Sequence, residues 1–513
     1  LFLALAFLIL VTNALISSLL FPRQQPVAQK DDGAAAGEKP GKKPAGGDKA
    51  KPAAGDDQSA DEPTDDEMPN GKPPAGENAT DEKAPDEKTG DEKADEGTGA
   101  DELPAAAAGP KTQRLSLGSY DPLSGYRLLV TLTSAGAAVE RIELNNPRYR
   151  EQEDRSGYIG HLAPADAPHA GGCVLQVVGN GTPAAMAGLE VGDVIQQLND
   201  KRITNAADFE KALKDTEAGD EIELAGERKD QPLKRSFKLG RRPLEIIRPE
   251  FDSKPVTVVA DDHDPLSLLM TIEQAGKRRL SKDAPELPGV SLLNGHWEVV
   301  SATIDEAVFR QRLEKLGIEV TKRYRLAKAA DPEANPDAPA YNLVFDVELR
   351  NISNKPQPVA YRLDGPTGLP LEGAWYATKI SRGSMFSVAG MRDVMVRLNT
   401  SAKEVVQASC TEIVDAKEGK MPHWTETEGP LDFIAVDTQY FASAVLPHIE
   451  QPGDTWFEDI RPIRVGEIPT EKADRKKTDV SFRMISKPVE LAPGESLKHE
   501  FELFAGPKKP ALL

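Results

Sequence analysis

Hydrophobic and polar positions alternate strictly along NLVFDVELRN. Leu343, Phe345, Val347 and Leu349 fall on one side, and Asp346, Glu348 and Arg350 on the other. A period of two over this length describes a half-buried antiparallel strand. The same reading fits SLKHEFELF, where Leu497, Phe501 and Leu503 oppose Lys498, Glu500 and Glu502, and YRLLVTL from Tyr126 to Leu132. Clusters of Pro, Gly, Asn and Asp (DPEANPDAP, RNISNKPQP, DGPTGLP, LAPGES) separate the runs as turns. The folded part is expected to be mainly β, a large sandwich rather than an α/β enzyme fold. Helical signal is sparse there. Phe309, Leu313 and Leu316 before Gly317 suit a short helix with a glycine cap, with a strand as the alternative.

Gly157 to Leu239 departs from this pattern. It reads as strand, turn, short helix, strand, longer helix (NAADFEKALKDT) and two further strands (DEIELAGERK, LKRSFKLG), a mixed α+β unit that interrupts the sandwich. Within GNGTPAAMAGLEVGDVI, Pro183 opens a helix, its alanines let that helix lie close to a sheet, and Gly188 ends it. Gly192 and Asp193 then turn the chain into VIQQL. These residues specify architecture; none is a ligand contact in itself.

The beginning of the chain is different again. Leu1 to Phe21 carries no charge, and about 20 residues at ~1.5 Å each cover the roughly 30 Å of a bilayer core. Residues 1–22 are expected to form an uncleaved transmembrane signal-anchor, a cleaved secretory signal being the alternative. Residues 23–113 are rich in Ala, Gly, Pro, Lys, Asp and Glu, including DEKAPDEKTGDEKADEG, and cannot bury enough apolar surface to offset chain entropy. An acidic, disordered linker is expected. Much of the net charge of -20 lies there, and net acidity argues against nucleic acid as a partner. The seven histidines show no metal-binding spacing, so neither metal nor cofactor is expected. Of the two cysteines, Cys173 sits in the apolar run CVLQVV and reads as a small core residue, although one disulfide with Cys410 is formally open.

The interrupting segment resembles a PDZ domain of the bacterial envelope type, like those following HtrA-like proteases. The matching residues are GYIG at Gly157 to Gly160, CVLQVV, GTPAAMAGLEVGDVIQQLNDKRI, the helix carrying Phe209 and Leu213, and AGDEI. The resemblance implies a loop, Ser156 to Gly160, whose backbone N–H groups receive a peptide's terminal carboxylate, with the peptide adding a strand to the adjoining edge. On that reading Gly157, Tyr158, Ile159 and Gly160 form the loop, Ile159 floors the pocket for the last side chain, and His161 and Leu162 open the edge strand. The unit is placed at 156–241.

The flanks, 114–155 and 242–513, resemble the periplasmic domain of the YidC membrane protein insertase family. The residues are SGYRLLVTLTSAGAAVERIELN, VTKRYRL, YNLVFDVELRN before NKPQP, DFIAVDTQYFASAVLP and PVELAPGESLKHEFELFAGPKKP. The resemblance implies a β-supersandwich on the periplasmic side of the bacterial inner membrane. It implies nascent or unfolded membrane proteins and the Sec translocon as partners, with the lipid bilayer reached through the N-terminal helix. The expected function is the extracytoplasmic part of an insertase and chaperone carrying an added peptide-binding module. The alternative is an envelope adaptor that recruits a client or protease through that module. An enzyme is not expected. His296-Trp297-Glu298 and His423-Trp424 are the only His/aromatic pairs that suggest a sugar site, and such pairs are more often packing than chemistry.

Overall fold

The computed structural model describes residues 112–509 other than 169–170, 250–265, 283, 333–334, 336–337, 372–378, 381–387, 390–391, 401–403, 418–419, 452, 467 and 473. The anchor expected at 1–22 and nearly all of the linker expected at 23–113 lie outside the described residues. Among the described residues no helix is long and apolar enough to cross a membrane.

The fold opens with β1 (Arg114–Gly118), β2 (Leu128–Thr133) and β3 (Ala138–Leu144), paired antiparallel in sequence order. Thr131 faces Arg141 while Leu132 faces Val139, so Glu140 is an extra residue, a bulge that re-aims its neighbours. Val139, Ile142 and Leu144 enter the sandwich core, and Glu140, Arg141 and Glu143 are left on the other side of the strand.

The chain next builds the inserted module. Besides three two-residue strands, its elements are β4 (Gly157–Tyr158), α1 (Pro183–Met186), β5 (Val194–Leu198), α2 (Ala206–Lys214), β6 (Glu221–Arg228), β7 (Gln231–Lys238) and β8 (Gly240–Arg241). β8 pairs with β4, Gly240 opposite Tyr158, so the incoming and outgoing strands of the insertion are zipped together. β9 (Glu245–Ile247) then returns to β3 as the fourth strand of the first sheet. The module keeps a core of its own, built around Leu175, Ile195, Phe209 and Leu224.

The remaining chain forms a nine-stranded and a seven-stranded sheet that share one hydrophobic core with the first sheet. Leu343, Phe345, Val347 and Leu349 are all fully buried, as their alternation predicts. Phe345 stacks between Tyr324 and Phe501 of the two neighbouring strands, with centroids at 6.1 and 5.0 Å. Such aromatic pairs contribute about 0.5–1.5 kcal/mol beyond area burial. The stretch with Phe309 and Leu313 is the strand Glu306–Leu313, not a helix. A four-residue spacing satisfies both periods, and pairing along its whole length with Ile318–Leu326 decides for the strand. Trp297 is fully buried with its indole donating to Leu292 O at 3.0 Å, and Trp424 packs in the core. Cys173 and Cys410 are free and lie in separate cores.

Candidate functional site

The loop after β4 is shaped by packing on three sides. α2 is capped by Asn205, whose side chain accepts the Asp208 N–H at 2.8 Å, and it buries Phe209, Ala212 and Leu213 at the i, i+3, i+4 spacing of one helix face. Just beyond its last turn, Thr216 O accepts the Gly157 N–H at 3.1 Å. A Cβ on Gly157 would lie 2.3 Å from Leu239 Cδ1 and 3.0 Å from Glu217 O, so a side chain here would force its neighbours to shift. On the other side, Ile159 O accepts the Ala184 N–H of α1 at 2.9 Å. Gly160 has φ +119°, and its Cβ would meet Thr182 Cβ at 2.9 Å. The helix begun by Thr182 and Pro183 is therefore the buttress of the loop.

Among the described residues, no backbone acceptor is found for the N–H groups of Ile159, Gly160 and His161. Successive unpaired N–H groups form a concavity suited to an anion. Ile159 and Leu162 are buried in the module core. Leu162 O accepts from Gln176 N and Val177 N, which ties it to the module's sheet. The edge expected to continue from His161 and Leu162 is interrupted: residues 161–164 form no strand, and Ala163 has φ 42°. A left-handed residue turns the row of backbone groups out of register, and pairing resumes only at Ala165–Asp166. Tyr158 also lines the cleft and turns toward its sandwich wall. Its ring lies 4.9 Å from that of Tyr120, and its hydroxyl donates to Glu143 Oε1 at 2.8 Å.

The loop opens onto a cleft of 1020 Å³ between the module and the sandwich. Ile159 to Ala165 and Phe209, Glu210, Leu213 and Lys214 of α2 line one side. Glu140, Arg141 and Glu143 of β3, with Arg242 and Glu245, line the other. Glu140 joins the two units, lying 3.1 Å from His161 Nε2 and 2.7 Å from Arg114 Nε. Burial pushes the Glu140 carboxyl up, but His161 and Arg114 outweigh it and leave it below its usual range. His161 is lowered by burial and by Arg141. Arg141 pairs with Glu245, whose carboxyl is held low because Arg141 and Arg248 outweigh its burial. Glu143 is different. Burial and the charge of Glu245 push it up to about 7. Arg242 donates to Ser156 Oγ at 2.9 Å and lies 3.3 Å from Asp154, which anchors the chain leading into the loop. Among the described residues no group of three or more His, Cys, Asp or Glu converges as a metal site would.

Reading the PDZ resemblance alone finds only half of this cleft. The available signal for the rest was three charges, Glu140, Arg141 and Glu143, inside an otherwise apolar strand, AVERIEL. The sequence pattern marks Asp193 only as part of a turn. Its carboxylate is 1% exposed, accepts the Glu190 N–H at 2.8 Å and receives Arg228 Nε at 2.6 Å, so it staples the turn to β6.

A family model described as a PDZ domain matches residues 142–239, and one described as the YidC periplasmic domain matches 374–513. The first match begins inside β3, a strand of the sandwich. The stretches QYFASAVLP and PVELAPGESLKHEFELF lie inside the second match; YRLLVTL and NLVFDVELRN lie outside it, but share its hydrophobic core. The chain is 37% identical over 94 residues to a protein named "probable periplasmic serine endoprotease DegP-like" from Marinomonas sp. (strain MWYL1), covering 18% of this chain and 20% of that one. The chain thus matches about one fifth of the length of that relative. Among solved structures, a galactose mutarotase-like protein from Lactobacillus casei ATCC 334 is 8% identical with a TM-score of 0.34, covering 76% of this chain and 99% of that one. A GalM/aldose epimerase homologue from C. elegans is 9% identical with a TM-score of 0.32, covering 77% and 99%. Likeness at this level carries no chemistry over to this chain.

Proposed function

We propose that this chain is the extracytoplasmic part of a YidC-type membrane protein insertase and chaperone, acting by binding and not by catalysis, whose inserted module captures client peptides. The observation that carries the reading is the cleft: Ile159, Gly160 and His161, whose N–H groups have no backbone acceptor among the described residues, line a cavity walled by the sandwich itself. An anionic peptide end fits such a row of donors, and apolar side chains beside it fit a terminal hydrophobic residue. The matches to a PDZ domain and to a YidC periplasmic domain support the two halves of the proposal and a periplasmic location. The anchor at 1–22, contact with the bilayer, and nascent membrane proteins and the Sec translocon as partners belong to the same proposal. The identity with a DegP-like protein favours the second reading, an envelope adaptor that brings clients to a protease.

A photocrosslinking amino acid placed at Ala163 of the full-length protein in cells separates the two. Adducts with newly made membrane proteins are expected. Adducts confined to an envelope protease and its substrates would favour the adaptor, and the absence of any polypeptide adduct would sink both.

A further inference from the structure

The sandwich wall of the cleft contains a carboxyl group with an incomplete set of partners. Glu143 is 1% exposed; its Oε1 accepts the Tyr158 hydroxyl, and its Oε2 has no hydrogen-bond partner among the described residues. The charged and titratable groups that act on it are Arg141 from β3, Glu245 from β9, Arg242 from the returning chain, and Tyr158 backed by Tyr120. Arg141 is shared. Its guanidinium pairs with Glu245, its Nε has no hydrogen-bond partner among the described residues, and its charge also acts on Glu143.

This cluster is wired to both ends of the open N–H row. Tyr158, on Glu143, immediately precedes Ile159, and His161, on Glu140, closes the row. An anion bound there adds negative charge to a pocket in which water screens poorly. The carboxyl with the fewest partners responds most readily, by taking a proton.

We propose that capture of a peptide's C-terminal carboxylate at Ile159 to His161 raises the proton occupancy of Glu143 at the expense of solvent, which makes the sandwich a proton-linked wall of the peptide site. The inference rests on the peptide-capture reading above. Glu143, pushed up to about 7, titrates near neutral pH. Because the occupied state holds the extra proton, affinity rises as pH falls. If occupancy raises the carboxyl by one further unit, binding is roughly fivefold tighter at pH 6 than at pH 8, with roughly half a proton taken up at pH 7.5.

The test is titration calorimetry on the whole chain. The probe is an N-acetylated synthetic peptide without titratable side chains, with an apolar last residue and a free carboxylate. Two buffers of different ionisation heat count the protons without any substitution. The expected result is proton uptake near pH 7.5 in the wild type and none in Glu143→Gln, whose affinity no longer changes between pH 6 and pH 8. Peptide binding without proton uptake, or uptake that survives in E143Q, would overturn this inference and leave capture standing. No binding at either pH would overturn the capture reading itself.

Discussion

Replacing Lys322 by methionine should abolish a specific part of the pH dependence of folding. Lys322 is fully buried on Ile318–Leu326, and its Nζ donates to Ala137 O at 2.7 Å and Leu268 O at 2.6 Å. Tyr324 also donates to Ala137 O, at 2.7 Å. Both acceptor residues are non-glycine with positive φ, 43° at Ala137 and 60° at Leu268, a conformation that costs roughly 1–2 kcal/mol each. The lysine therefore clasps two strained turns of different sheets to a third. Burial pushes its ammonium down to about 7 from an ordinary 10.5. Between those values the unfolded chain holds more protons than the folded one, so stability rises with pH across the window and is lowest below pH 7, where both states are charged. From pH 7 to pH 9 the gain is about 2 kcal/mol. Lys322→Met keeps the volume, removes the titration and leaves Leu268 O without this donor, a loss of about 1–3 kcal/mol. Relative to the wild type, the variant should lose about 2 kcal/mol of stability on going from pH 7 to pH 9. Urea unfolding followed by tryptophan fluorescence suits the question, because Trp297 lies 5.9 Å from the ammonium. Parallel pH profiles for the two proteins would refute the reasoning.

Three further outcomes follow from the same geometry. Glu143 is raised from 4.5 to about 7, so the folded state holds the extra proton and stability falls as pH rises through that range. Glu143→Gln should therefore gain on the wild type by about 2.5 kcal/mol between pH 5 and pH 8 in urea midpoints, and a constant offset would contradict the assignment. His499, hydrogen-bonded with the Tyr361 hydroxyl at 2.7 Å and stacked on Trp456 at 4.1 Å, is lowered by burial to about 4. The unfolded state then binds the proton first, and the wild type should lose about 3 kcal/mol from pH 7 to pH 4 that His499→Phe does not lose. Gly160→Val should abolish peptide binding and also lower the melting temperature of the module, since φ +119° and the contact with Thr182 penalise any side chain. Binding that persists would move the site away from this loop.

Much of the sandwich was legible because alternation is a local property: Leu343 to Leu349 lie on the buried face that a period of two assigns. Phe309 and Leu313 were ambiguous because positions four apart share a face in both helix and strand, and a non-local ladder resolved them. The cleft was half legible. GYIG and the helix of Phe209 mark the loop, but three things depend on contacts between distant segments or on single backbone angles: the rotation of Tyr158 into the sandwich, the left-handed turn at Ala163, and the bulge at Glu140. No periodicity records them.

Hydrogen exchange on the full chain, with and without a peptide bearing a free C-terminal carboxylate, tests the central claim most directly. Without peptide, the N–H groups of Ile159, Gly160 and His161 lack backbone acceptors and should exchange quickly. With peptide, protection should appear at these residues and extend along α2, and the amidated peptide should produce none. Protection confined to the sandwich strands, or equal protection by the amide, would contradict the account.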